Sequence, residues 1–192
     1  MIKELLKKSR SYRGFDESRV ITREELLDLV DCARYAPASR NLQPFQYYLV
    51  YEKSEAEQIL LCTKWAAALP DLQLPREGEH PGAFIIICQD SRIGKNLAAF
   101  QKDIGVVAQT MLLAAADSDL GGCMIANFNP KKIRQVTDLP EYLEPVLVVA
   151  IGKPIERVVV TEINYGEDTK YYRDKENCHY VPKRKLGDII VK

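Results

Sequence analysis

Apolar residues at Ile2, Leu5 and Leu6 recur at helical spacing and predict a short helix that gives way to polar chain near Arg10. Thr22 with Glu25 three residues on makes a capping box, and Leu26, Leu27, Val30 and Ala33 follow on one face, so a second helix is expected to run to about Tyr35. Pro37 ends it, because a proline biases the residue before it away from the helical region. Alternation of Tyr47, Leu49 and Tyr51 with Tyr48 and Val50 predicts a strand over Gln46 to Tyr51. Ser54 and Glu57 repeat the capping-box spacing before a helix directed towards Trp65.

Pro70, Pro75, Gly78, Pro81 and Gly82 then mark a long surface loop, of the kind that often covers an active site. The run Ala83 to Cys88 is rich in β-branched residues and reads as a buried strand. Leu97, Phe100, Ile104, Val107, Met111 and Leu112 predict one long helix from about Ile93 to Asp117. Apolar residues spread round most of its circumference, as suits the centre of a core or a subunit interface. Gly121-Gly122 is expected to stop it, before a short strand over Cys123 to Ala126 and a helix from Asn129-Pro130 to Val136. Glu144 to Gly152 is a third core strand, and the tail beyond Tyr165 is polar and aromatic. The fold class is α+β, a largely antiparallel or mixed sheet with helices around it.

At 192 residues the chain is expected to form one domain spanning 1–192, with a core that needs no staples. Its 46% hydrophobic and 28% charged residues argue for a globular protein. Lysine and arginine total 27 against 27 acidic residues, a balance that gives no general attraction to nucleic acid or anionic membranes. A nucleic-acid patch built on Arg10, Arg13, Lys131, Lys132 and Lys183 to Lys185 is disfavoured on that ground. Cys32, Cys62, Cys88, Cys123 and Cys178 are odd in number and lack Cys-x-x-Cys spacing, which favours reduced thiols and a cytoplasmic location. The start of the chain lacks a signal-peptide run, and the stretch Ile104 to Ala116 is too short to cross a bilayer.

Two segments carry the candidate chemistry. Arg10-Ser11-Tyr12-Arg13-Gly14-Phe15 places two guanidinium groups and a hydroxyl within four residues, and the guanidinium fork matches phosphate oxygens bidentately. Ala36-Pro37-Ala38-Ser39-Arg40-Asn41-Leu42-Gln43-Pro44-Phe45 is a rigid loop whose Ser39, Asn41 and Gln43 suit the polar rim of a heteroaromatic ring. A flavin mononucleotide (FMN) fits both ends of that description. The same arginines also suit ordinary surface ion pairs, and the basic tail at Lys183 suits a solvated surface. His80 and His179 read as surface groups, Lys64 as a helix-surface lysine, and Cys123 as a small buried hydrophobe. There is no Gly-x-Ser-x-Gly elbow, His-Glu-x-x-His pair, Walker A sequence or metal-spaced cluster, so a bound cofactor is expected to carry any reaction.

These residues resemble the FMN-dependent nitroreductase family. The likeness rests on Arg10-Ser11-x-Arg13-x-Phe15, Ala36-Pro37-Ala38-Ser39-x-Asn41-x-Gln43-Pro44, Asp103-Ile104-Gly105, Leu120-Gly121-Gly122-Cys123, Gly152-Lys153-Pro154 and Val181-Pro182-Lys183-Arg184. It implies a nitroreductase-like fold, with the long central helix at the interface of a homodimer whose two active sites each draw on both subunits. It implies FMN as cofactor, its phosphate and ribityl chain held by Arg10, Ser11 and Arg13 with Lys183 and Arg184. Pro37, Ala38, Ser39, Asn41 and Gln43 would approach the ring from the partner subunit. Met124, Ala126 and Asn127 would lie beside the flavin's reactive edge, where better-known members carry Pro-x-Glu-Gly, with Ala126 and Asn127 standing for the last two. The implied activity is ping-pong transfer from NAD(P)H to a small electron-poor acceptor such as a nitroaromatic or quinone. No side chain would need to act as acid or base, and no metal, nucleic acid or membrane would take part. The alternative is a flavin-binding or electron-relay protein without turnover.

Overall fold

The computed structural model describes residues 2–192. Helix α1 (Ile2–Lys8) leads into the Arg10 segment, and α2 (Arg23–Ala33) follows. Both halves of the Thr22 capping box form: the threonine hydroxyl accepts from the Glu25 N–H, and the Glu25 carboxylate accepts from the Thr22 N–H. The face α2 buries is Leu26, Leu29 and Ala33, with Val30 packed beside them, so the expected stripe forms except that Leu29 takes the buried place and Leu27 is exposed.

Strand β1 (Phe45–Val50) enters the main sheet, and α3 (Lys53–Leu61) follows it. The expected Ser54–Glu57 box does not form: the helix begins one residue before Ser54, with Glu52 as a cap that makes no side-chain bond. Lys64 consequently lies beyond the helix end. Strand β2 (Ala83–Asp90) is buried along its whole length. The long helix α4 (Gln101–Asp117) starts later than the periodicity predicts. A turn after Asp90 and a 3-10 segment, Leu97–Phe100, come first, opened by the Asn96 side chain accepting from the Ala98 N–H. The Phe100 ring packs where a Cβ on Gly94 would sit, which fixes that turn against the helix start.

Gly121 and Gly122 do not end α4; they open β3 (Gly121–Ile125). The helix is turned instead at Ser118 and at Asp119, whose φ is 58°. Then come α5 (Pro130–Thr137), capped by the Asn129 side chain, and β4 (Leu143–Gly152). The tail forms further strands, β5 (Val158–Ile163), β6 (Tyr172–Arg173) and β7 (His179–Arg184), beyond what alternation predicts.

The main sheet runs β1-β2-β4-β3, antiparallel throughout. Its register shifts between Ile87 and Cys88, where the facing strand brings in Pro145, a residue with no N–H to donate. One face (Ile85, Ile87, Val149, Ile151) packs under α2 and α4. The other (Phe84, Ile86, Val148, Ala150) packs with Ile59 of α3 and Ile133 of α5. Because β2 and β4 are covered on both sides they read as continuous apolar runs. The tail builds a separate sheet in the order β5-β7-β6, with β5 and β7 parallel.

Candidate functional site

The arginine segment is stitched to the main sheet at several points. Ser11 bridges Gly122, and the Tyr12 N–H donates to the Gly122 carbonyl at 3.0 Å. Phe15 is fully buried and its N–H donates to the Glu79 carbonyl at 3.0 Å. The Asp16 N–H reaches the Lys153 carbonyl at 2.8 Å, and Ile155 donates back to Gly14. The segment can approach so closely because its neighbours lack side chains: a Cβ on Gly121 would lie 2.6 Å from both Tyr12 and Pro154, and one on Gly122 would strike the Ala150 carbonyl. Arg10, Ser11 and Arg13 are thereby presented from a fixed backbone.

Among the described residues neither Arg10 nor Arg13 has a carboxylate within ion-pair distance of its guanidinium. Arg13 uses its backbone N–H on Glu156 Oε2, at 2.6 Å, and its guanidinium donates to the Ser11 carbonyl at 3.2 Å and stands 5.0 Å from the Tyr171 ring centre. The Arg10 Nε is buried without a partner. Glu156 also grips Arg173, and that ion pair is almost wholly enclosed, with side chains 2% and 3% exposed.

His179 is a correction to the sequence reading. It is 2% exposed rather than on the surface, paired with Arg173 across β6 and β7, with its ring edge-on to Tyr171 at 5.3 Å. Neither ring nitrogen has a partner. Burial, then the charges of Arg13, Arg173 and Arg10, push its pKa down to about 4. Cys123 is buried beside Ser11 and Arg13, and burial is the main cause of its raised pKa. Sequence patterning could not find Glu156, Arg173 or His179, because they come from a tail with little apolar periodicity.

The loop after α2 has an unusual backbone: Arg40, Asn41 and Gln43 have φ of 52°, 54° and 48°, in the left-handed region. Pro37, Ser39, Asn41 and Gln43 are exposed and Ala38 is half-buried. The loop is anchored by Asp103 in the first turn of α4, whose Oδ2 accepts from the Ser39 N–H at 2.7 Å. Met124 is half-buried near the end of β3, and Ala126 and Asn127 emerge exposed beyond it. The Asn127 carbonyl is held by the Lys64 N–H at 2.8 Å, and Thr63 bridges Phe128, so the chain after α3 fixes this stretch.

Lys183 and Arg184 are exposed, four and five residues along β7 from His179, so roughly 13 and 17 Å further up the strand at 3.3 Å per residue. The Arg184 guanidinium lies 5.7 Å from the Tyr165 ring centre. A cavity of about 110 Å³ between Val20, Ile21, Tyr51, Leu60 and Pro81 involves none of the expected site residues. Among the described residues no group of His, Cys, Asp and Glu is arranged to hold a metal, and no helix is long and apolar enough to cross a membrane.

The donor set suits a phosphate monoester: unpaired guanidiniums, a hydroxyl, and an orphaned buried Arg10 Nε. The exposed polar loop suits the rim of a ring system.

The Nitroreductase family model matches residues 6–153. A Bacillus subtilis relative named "Putative NAD(P)H nitroreductase YodC" is 25% identical over 180 residues, covering 80% of this chain and 89% of its own. A Pseudomonas sp. Cr(VI) reductase is 26% identical over 175 residues, covering 82% and 68%. Among solved structures, a nitroreductase family protein of Clostridium difficile 630 superimposes with a TM-score of 0.62 at 28% identity, over 80% of this chain and 84% of the other. An FMN-dependent nitroreductase of Clostridium difficile R20291 shares the fold at 22% identity, with a TM-score of 0.64 over 92% and 94%.

Proposed function

The chain belongs to the nitroreductase family, and on that footing we propose that it is an FMN-dependent NAD(P)H oxidoreductase that passes electrons to small electron-poor acceptors such as nitroaromatics or quinones. The observation that carries the reading is the pair of unpaired guanidiniums at Arg10 and Arg13, held on a rigid backbone around Ser11. The names of the relatives, NAD(P)H nitroreductase and FMN-dependent nitroreductase among them, support the same reading.

Bound FMN supplies the two-electron exchange between nicotinamide and acceptor. The chain's own part is binding and electrostatics. Arg10, Ser11 and Arg13 hold the phosphate end through charge-assisted hydrogen bonds. Ser39, Asn41 and Gln43, with Pro37 and Ala38, offer amide and hydroxyl contacts to the ring of a partner subunit's flavin. Their exposure in a single chain, and the exposed apolar residues Leu97 and Val106 on the α4 side, support a homodimer with shared sites. The backbone at Met124, Ala126 and Asn127, held by Lys64, offers a fixed donor at the reactive edge. No side chain in this scheme acts as acid or base.

The test is Arg10→Ala combined with Arg13→Ala. The variant is expected to fold and to purify without flavin absorbance while the parent retains it. Equal flavin content in both would overturn the assignment.

A further inference from the structure

The phosphate-binding segment is backed by a cluster from the far end of the chain. Arg13 and His179 both lie against the Tyr171 ring, the guanidinium 5.0 Å and the imidazole centre 5.3 Å from its centre. Arg173 faces His179 across the hairpin, and Glu156 joins the Arg173 guanidinium to the Arg13 backbone. The hairpin turn is tightly specified: Asp174 Oδ1 accepts from the Glu176 and Cys178 N–H groups, and Asn177 Oδ1 accepts from Arg173 and, across the long loop, from Arg76. His179 is consequently held in place.

Glu156 neutralises Arg173, and Asp174 is engaged by the hairpin's own N–H groups, whereas the guanidiniums of Arg10 and Arg13 have no carboxylate partner among the described residues. The Arg10 Nε, the Arg173 Nε and both His179 nitrogens are buried with no partner. Buried polar groups without partners are uncommon in native proteins, and an anion is one partner that would satisfy donors gathered beside guanidiniums that lack a carboxylate. A phosphate monoester carries about 1.5 to 2 negative charges near pH 7 and three acceptor oxygens, which suits guanidinium donors and the single N–H of a neutral imidazole.

We infer that Arg173 and His179, brought by the tail hairpin, complete the phosphate site that Arg10, Ser11 and Arg13 open, in the place that the resemblance gives to Lys183 and Arg184. Glu156 is a positioning residue that sets the spacing between the two halves. The inference rests on the FMN reading. It makes the site a joint between the first fifteen residues and the last twenty, so that flavin phosphate ties the tail sheet to the main one.

The chain has two histidines, His80 and His179, so imidazole nitrogen resonances of labelled apoprotein resolve the question without any activity measurement. Titration with FMN is expected to move the His179 signal and leave His80 in place, while riboflavin, which lacks the phosphate, moves neither. Flavin fluorescence in the same samples reports binding. His179→Gln is expected to weaken FMN at least about tenfold, the loss of a hydrogen bond to a charged group, and to leave riboflavin within about twofold. Lys183→Ala with Arg184→Ala has the smaller effect. FMN that binds without moving His179, or a double variant that loses more than His179→Gln, overturns the inference while sparing the functional reading. Absence of FMN binding overturns both. If His179→Gln does not fold, the titration of the parent chain decides.

Discussion

The carboxylate of Glu156 accepts the backbone N–H of Arg13 at 2.6 Å, a contact across 143 residues of sequence. Its other oxygen holds the Arg173 guanidinium, and both side chains are withdrawn from water. One acidic residue thus orients the arginine segment and anchors the tail sheet to it. The rest of the tail has few other ties to the main sheet's apolar layers, whose buried residues come from earlier in the chain.

Glu156→Gln keeps the shape but leaves the Arg173 cation buried without its counter-charge. Breaking a buried pair from one side costs about 3–5 kcal/mol, so urea unfolding should show a loss of that order. A loss below about 1 kcal/mol would mean that water reaches the pair.

His179 gives stability a pH dependence of known sign. The unfolded imidazole takes a proton near 6.5, whereas the folded one resists until about 4. Between those values the unfolded chain binds more protons, so stability rises with pH through this window and falls as the pH drops. Denaturation midpoints measured across that range should decline towards acid, by on the order of 3 kcal/mol in total. His179→Gln should flatten that part of the profile, and an unchanged slope would show that another group causes it.

Gly122→Ala places a methyl group against the Ala150 carbonyl, within the main sheet itself. Backbone cannot yield as a side-chain tip does. A loss of roughly 1–3 kcal/mol or more is expected, read as a lowered melting temperature. Gly187→Ala is the control, since nothing lies within 4 Å of a Cβ there and its φ is not in the left-handed range, and it should be close to neutral.

Asp103→Ala releases the Ser39 N–H from its carboxylate. Hydrogen exchange at Ser39 should accelerate strongly, and FMN affinity should fall by about tenfold or more as the loop loses its anchor, in keeping with about 1.5–3 kcal/mol for a hydrogen bond to a charged group. An unchanged exchange rate would show that the left-handed turns at Arg40, Asn41 and Gln43 hold the loop without it.

The main sheet was legible because its strands are either alternating or continuously apolar, and α2 because Thr22 and Glu25 announce its start. The beginning of α4 was obscured by Leu97 and Phe100, which keep helical spacing through a 3-10 segment that Asn96 opens. Gly121-Gly122 looked like a helix stop, yet those glycines serve the close approach of Tyr12, Pro154 and the Ala150 carbonyl, a tertiary demand with no local signature. In the site, Arg10, Ser11 and Arg13 stood out by composition. His179 did not: its burial depends on Tyr171 and on long-range pairing between strands of two to six residues, which polar sequence does not betray.

The most direct test of the flavin oxidoreductase reading is the visible spectrum of the purified protein, recorded before and after anaerobic addition of NADH or NADPH. A bound flavin spectrum that bleaches with at least one of the two nicotinamides is expected. A bound flavin that never bleaches would leave only a flavin-binding role, and a protein that takes up no flavin even when supplied with FMN would overturn the FMN oxidoreductase reading.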